Sequence, residues 1–260
     1  MKTSGVTGGQ STSKALALLR QVGVHHPQGI RLTDLIALTG QDRSTAHRLL
    51  ACLVEEGFVE RTLPSRLYRL GIEAMQLGLV SAGMAPVVER FRPMMQKVAR
   101  QSGDTVFLMV RSGDHALCLH REEGSYPVKA FVIEPGTRRL LGVSSVGVGI
   151  MARLDDAEIN ALYARHAGAY ARLDLSLQRL NSLVRETRQA GFAQMTDLRT
   201  EETSGVGCAF RLSSNSFAGI SIAAIKSRMP QARRRELGSQ LAAELAQLEW
   251  VPGKAGVAAG

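Results

Sequence analysis

Five side chains near the start of one segment, Arg43, Ser44, Thr45, His47 and Arg48, carry the most specific chemistry in this 260-residue sequence. They are hydrogen-bonding groups of the lengths that reach phosphate oxygens and base edges in a major groove. Behind them Ala46, Leu49, Leu50, Leu53 and Val54 recur at i, i+3, i+4, i+7 and i+8, so Asp42 to Glu56 predicts a helix with one apolar and one polar side. A merely solvated face has the same signature, and the flanking elements must decide between the two. Three more cations, Arg61, Arg66 and Arg69, decorate the hairpin that follows.

Other reactive residues amount to less. His115, Cys118 and His120 resemble a metal cluster, yet on a strand only Cys118 and His120 share a face, and two ligands are too few for structural zinc. Cys208 has no neighbouring base or resolving cysteine in sequence and reads as a small packed hydrophobe, against the alternative of a redox-sensing thiol. His25 and His26 sit in a turn. Gly147–Val148–Gly149 lacks the spacing of a dinucleotide fingerprint, and there is no Walker lysine. No Ser-His-Asp, Cys-His or paired-carboxylate arrangement assembles, so no catalytic residue, metal or cofactor is expected.

The elements that position the polar face are short. Ser13 is placed to cap a first helix whose Ala15, Leu18, Leu19 and Val22 form one stripe. Residues 24–30, with Pro27 and Gly29, break it. Thr33 is placed to cap a second helix carrying Leu35, Ile36 and Leu38, and Gly40 stops it. After the third helix Gly57 marks an end, Phe58 to Glu60 and Leu67 to Leu70 read as strands, and Thr62 to Arg66, with Pro64, as the turn between them. Three helices and a hairpin in this order make a winged helix-turn-helix, the arrangement that groove docking requires.

Residues 71–84 predict a linker helix with apolar Ile72, Met75, Leu77 and Leu79, and Pro86 a new start. Beyond it the pattern is mixed α/β. A helix with Phe91, Met94 and Val98 precedes strands near Thr105 to Val110 and Ala116 to His120, joined by a turn at 112–114, and a third strand over Val128 to Ile133. Leu141 to Ala152 is rich in Gly and Ser, so a ligand or another backbone can approach closely. Helices follow over Asp156 to His166 and Leu175 to Ala190, then strands near Phe192 to Asp197, Val206 to Leu212 and Ala218 to Ile225, and an amphipathic helix from Gln231 to Trp250.

Bulk composition sets the class. The chain is 45% hydrophobic and 21% charged, with no apolar run of the roughly 18 to 20 residues that span a bilayer. Met1 to Gln10 reads as a disordered arm without the apolar centre of a secretory signal, and 252–260 as a flexible tail. Three distant cysteines, Cys52, Cys118 and Cys208, argue for a reducing cytoplasm. A net charge of +9 and a pI near 10.0 favour a polyanionic partner. Residues 1–83 hold only +3 of that charge, so the total does not locate the site. The competing reading is an enzyme or ligand-binding module whose N-terminal helices mediate protein contacts.

The string QDRSTAHRLLACLVEEGFVER at 41–61 resembles the recognition helix and first wing strand of the IclR family of bacterial transcription regulators, and LYRLG at 67–71 its second wing strand. EPGTRRLLGVSSVGVGIMA at 134–152 is similar to the segment that enters that family's effector pocket, and GVGCAF at 205–210 and AGISIAA at 218–224 to its pocket strands. The resemblance spans Ser11 to Trp250. It implies an α/β (α+β) chain with a winged helix-turn-helix over 11–70, a linker helix over 71–85 and a GAF-like effector domain over 86–251, built on a six-stranded antiparallel sheet flanked by helices. It also implies a homodimer or dimer of dimers assembled through the reader and linker helix.

Carried over by position, the family pattern puts Ser44, Thr45, His47 and Arg48 in the groove and Lys14, Arg43, Arg61 and Arg69 on the phosphate backbone. Its ligand cradle falls on Val132, Ser145, Val146, Asp197, Val206, Cys208, Ser221 and Ala223. Two positions depart from the pattern. Val148 stands where many members have Lys, and Ala223 where a second Ser often follows Ser221. Both remove polar groups, which favours an apolar or aromatic acid over a very small oxo acid as effector. The mechanism implied is a dimer that places two third helices in successive major grooves of double-stranded operator DNA, with the effector biasing the linker helices and no membrane involved.

Overall fold

The apolar stripes of the first three helices meet one another. In the computed structural model, which describes residues 9–83, 86–128, 133–196, 202–213 and 216–248, the chain divides into two units, Met1–Ala85 and Pro86–Gly260. In the first unit, α1 (Gln10–Val24), α2 (Leu32–Thr39) and α3 (Arg43–Glu55) enclose Leu18, Val22, Leu35, Ala46 and Leu50. The hairpin of β1 (Val59–Thr62) and β2 (Leu67–Leu70) adds Val59 and Tyr68 to that core, and α4 (Ile72–Gly83) follows.

Two expected caps are corrected. The first helix begins a turn before Ser13, at Gln10, with Gly9 as its cap residue, and the Ser13 N–H is already bonded to the Gly9 carbonyl at 2.9 Å. The second helix begins at Leu32 without a side-chain cap, and the Thr33 hydroxyl turns to Asp34 at 3.4 Å. Helix starts set by packing need no capping side chain, so a nearby Ser or Thr can mislead. Gly40 does end α2 in the left-handed conformation, φ 64°, bonding back to Ile36 at 2.9 Å. The segment that breaks α1 adds a single bridge to the hairpin: Ile30 and Tyr68 exchange backbone hydrogen bonds at 2.8 and 3.0 Å. The Leu70 N–H also donates to the His26 ring at 3.1 Å, so the turn histidine helps to hold the wing.

The second unit opens with α5 (Pro86–Ser102), where Pro stands at the first helical position. Then come β3 (Thr105–Ser112), β4 (His115–Glu122), β5 (Arg138–Leu140), α6 (Ser145–Met151), α7 (Asp156–Arg165), α8 (Ala167–Ala171), α9 (Leu177–Ala190), β6 (Ala193–Thr196), β7 (Thr203–Ser213), β8 (Ser216–Ile225), a short 3-10 turn and α10 (Gln231–Gln247). The six strands β3 to β8 form one antiparallel sheet in the order β5-β4-β3-β8-β7-β6. Helices α5 and α10 cover one face over Phe91, Met95, Leu108, Ile220 and Leu241. On the other face α6 to α9 enclose Phe107, Met109, Val146, Ile150 and Tyr170.

The strand at the β4 edge of the sheet is one that the sequence reading did not propose. It is Arg138–Leu140, paired with His115–Leu117, whereas within Val128 to Ile133 residues 129–132 lie outside the described residues. Two arginines in three residues hide a strand from any reading based on apolar alternation. No helix among the described residues is long and apolar enough to cross a membrane.

Candidate nucleic-acid interface and ligand cavity

Asp42 starts the polar helix. Its carboxylate accepts the Thr45 N–H at 2.8 Å, and that bond, with the Thr45 hydroxyl, holds the Asp42 carboxyl below the usual carboxylate range. Arg43, Ser44, His47 and Arg48 are exposed on the resulting helix, while Ala46 and Leu50 are buried beneath them. Thr45 is half-buried and engaged in the cap, so it stands at the margin of the exposed face.

Gln41, which the sequence reading passed over, fixes this helix against α1. It is only 9% exposed, and its side-chain amide donates to the Lys14 carbonyl at 3.0 Å while its own Oε1 is buried with no partner among the described residues. Lys14 therefore stays beside the start of α3, with its ammonium exposed. On the hairpin Arg61 is exposed with its guanidinium 5.7 Å from the centre of the Tyr68 ring, and Arg66 is exposed at the turn with φ 56°. Arg69 differs from them. It is half-buried, and its guanidinium donates to the Gln28 carbonyl at 3.5 Å.

In the second unit a narrow cavity of about 40 Å³ lies between the sheet and the start of α6. Ser145, Val146, Ser221 and Ala223 line it, as the resemblance implies, together with Phe107, Met109, Met195, Thr203 and Arg139. A methyl group placed on Gly207 would lie 2.7 Å from the Val146 nitrogen, and one on Gly219 would lie 2.6 Å from Val146 Cγ2. Glycine at these two positions lets the start of α6 rest directly on β7 and β8.

Two of the expected pocket residues are not part of this cavity, and two more lie outside the described residues. Val206 and Cys208 point to the opposite face, into the core under α5 and α10, where the Cys208 thiol faces the Gly238 carbonyl at 3.9 Å. The cause is parity: Gly205 and Gly207, one residue off, present β7 to the cavity side, and a shift of one residue exchanges the faces of a strand. Val132 and Asp197 lie outside the described residues. Val148, which replaces a common Lys, is packed in the core and does not line the cavity.

Arg139 has no counterpart in the sequence reading. It is 6% exposed, opposite Ala116 on the cavity side of the sheet, while adjacent Arg138 turns away to the Ser112 carbonyl at 3.0 Å. The signal available in sequence is a doubled arginine at the head of an apolar run, Arg138–Arg139–Leu140–Leu141. A wider groove of about 570 Å³ runs between α5 and α10, but exposed polar side chains such as Gln101, Glu236 and Gln240 wall it.

Burial pushes the Cys208 thiol up to about 12 and the Cys118 thiol up to about 11, so both stay protonated at neutral pH. His120 is bonded to Glu122 at 2.7 Å, and among the described residues no group of three potential metal ligands occurs.

Residues 11–63 match the family model described as IclR helix-turn-helix domain, and 81–250 the one described as Bacterial transcriptional regulator IclR C-terminal. The HTH-type transcriptional regulator BhcR of Paracoccus denitrificans is 28% identical over 233 residues, 87% of this chain and 81% of its own. The structure of an IclR family regulator from Brucella abortus superposes with a TM-score of 0.78 at 17% identity, covering 94% of this chain and 92% of that one. An IclR homolog from Microbacterium hydrocarbonoxydans, solved in complex with 4-hydroxybenzoate, has a TM-score of 0.57 at 18% identity over 90% of this chain and 99% of its own. With both units accounted for by these matches, the chain belongs to the IclR family and is a DNA-binding transcription regulator rather than an enzyme.

Proposed function

We propose that Ser44, His47 and Arg48, with Thr45 at their edge, enter the major groove of an operator, and that Lys14, Arg43, Arg61, Arg66 and Arg69 hold the phosphates on either side. The observation that carries this reading is the division of α3: its apolar side is locked into the core by Ala46 and Leu50, while Arg43, Ser44, His47 and Arg48 stand in solvent. Arg69 has the smallest share, since its guanidinium is already tied to Gln28.

The reader works as a homodimer or dimer of dimers on a pseudo-palindromic site in the cytoplasm. Exposed apolar side chains on α4 support pairing with a second copy; Ile72 is 61% and Leu79 65% exposed. A small organic acid held in the cavity beside α6 shifts the protein between two arrangements that differ in operator affinity. The apolar walls, Phe107, Met109 and Met195, suit an aromatic or otherwise apolar acid, the kind of ligand carried by the relative crystallised with 4-hydroxybenzoate.

The test is a fluorescence anisotropy titration of the full chain against duplexes from the region upstream of its own gene and from a shuffled version, over a salt series. A complex that prefers the upstream duplex and weakens steeply with salt is expected. Equal affinity for both duplexes would remove the operator reading.

A further inference from the structure

We propose that the groove beside the edge strand β6 binds a phosphate monoester of a small, hydroxyl-bearing molecule, held by Arg179 and Arg234. The groove, about 320 Å³, adjoins the cavity beside α6 without being part of it, since Met195 stands in the wall of both. The proposal does not depend on what that cavity holds.

Two cations stand where a helix disfavours them. A helix carries partial positive charge at its N-terminus, so acids are favoured in the first turn and cations are not. Neither α9 nor α10 has an acid in its first turn, yet Arg179 is the third residue of α9 and Arg234 the fourth of α10. Both side chains line the groove. The adjacent Arg233 shows how such a cation is answered: it reaches the buried Asp104 at 2.8 Å and the Ser102 carbonyl at 2.8 Å. Arg234 has no acid within ion-pair distance among the described residues. One of its terminal nitrogens donates to the Ser204 hydroxyl at 2.9 Å, and its Nε is buried without a partner among the described residues. Arg179 has Glu186 at 3.7 Å, with both side chains 60% exposed, a pair worth little in water.

The other groups of the groove indicate the kind of anion. A phosphate monoester has three terminal oxygens and can accept from two guanidinium forks, whereas a single fork already fills a carboxylate. The starts of helices are also where phosphates are commonly held. Asp174, an acid in the lining, lies beyond ion-pair distance of both arginines. A bare phosphate gains nothing from it, but a ligand hydroxyl can donate to it. Gln194 and Thr196, two residues apart on one face of β6, add an amide and a hydroxyl. The combination suits a polyol phosphate, with its phosphate toward the two arginines and its hydroxyls toward Asp174, Gln194 and Thr196.

The test is calorimetric titration of the full chain with glucose 6-phosphate, glycerol 3-phosphate, inorganic phosphate and glucose, at an ionic strength held constant with potassium chloride. At least one ester is expected to bind more tightly than inorganic phosphate, and glucose not at all. Arg179→Gln and Arg234→Gln should each weaken that ester roughly tenfold or more, the loss of a hydrogen-bonded charge. Asp174→Asn should narrow the gap between ester and inorganic phosphate, and asparagine accepts the left-handed backbone, φ 51°, of this position. No binding by either ester, inorganic phosphate or glucose binding as tightly as the esters, a gap that Asp174→Asn leaves unchanged, or undiminished binding in either arginine variant each overturns the proposal. If Arg234→Gln fails to fold after losing its bond to Ser204, Arg179→Gln and Arg234→Lys still decide, the lysine variant keeping part of the affinity.

Discussion

The backbone nitrogen of Val146 lies 2.7 Å from where a methyl group on Gly207 would sit, so α6 and β7 touch backbone to backbone at the mouth of the cavity. Neither side of such a contact is a flexible side-chain tip that can move away. Gly207→Ala is therefore expected to lift the start of α6 and to cost about 1–3 kcal/mol, the range for overpacking a close-packed interior. Urea unfolding at constant slope measures it, and an unchanged midpoint would show that α6 does not rest on β7.

Thiol chemistry should separate the three cysteines. Cys52 is exposed on α3, whereas Cys118 and Cys208 are buried and held protonated. A disulfide reagent at neutral pH should modify one thiol of the folded chain rapidly and the other two only after denaturation. Operator binding that falls with peroxide, and is rescued by Cys208→Ser, is the outcome that this burial rules against.

Stability should rise with pH in two windows. His115 is held below its usual 6.5, first by burial and then by Arg138 and His166. The unfolded chain therefore takes up that proton at higher pH than the folded one, and the His115 contribution is complete above about 6.5 and fades as pH falls toward the folded value. Asp114 is held below 3.8 chiefly by Arg165, which grips it with two hydrogen bonds at 2.8 and 2.9 Å, and then by His166. Its contribution is present above about 3.8 and is lost as pH falls through the folded value. Urea stability measured across pH should lose the upper window in His115→Gln and keep the lower one. The same slope in variant and parent would assign the upper window to another group.

Two substitutions in the reading unit should differ in kind. Arg48→Ala removes a side chain proposed to meet base edges and is expected to cost about 1–3 kcal/mol on the operator, with little change on shuffled DNA. Lys14→Ala removes a proposed phosphate contact and should weaken both duplexes alike, lowering the salt slope by about 1. Anisotropy titrations over a salt series distinguish them, and an Arg48→Ala variant that binds the operator as tightly as its parent takes this residue out of the interface.

Much of the reading unit was legible because each helix there has only one buried side. The stripe Ala46–Leu50 and the polar set around Arg48 follow from periodicity alone, and Gly40 from the need for a left-handed residue at a helix end. What periodicity could not supply is contact between distant segments: the bridge from Ile30 to Tyr68 and the bond from Gln41 to Lys14 depend on how α1, α3 and the wing meet.

In the second unit the limit was parity. Both faces of the sheet are covered by helices, so Val206 and Cys208 on one side and Ala209 on the other are all buried and apolar, and β7 shows no alternation that could tell its faces apart. The sequence by itself determined the order of elements, the polar face of α3 and the small residues beside α6. Only the tertiary structure decided which side of β7 meets the cavity and that Arg139 lies in its wall, because strand pairing fixes the direction of every side chain and that pairing joins residues far apart in the chain.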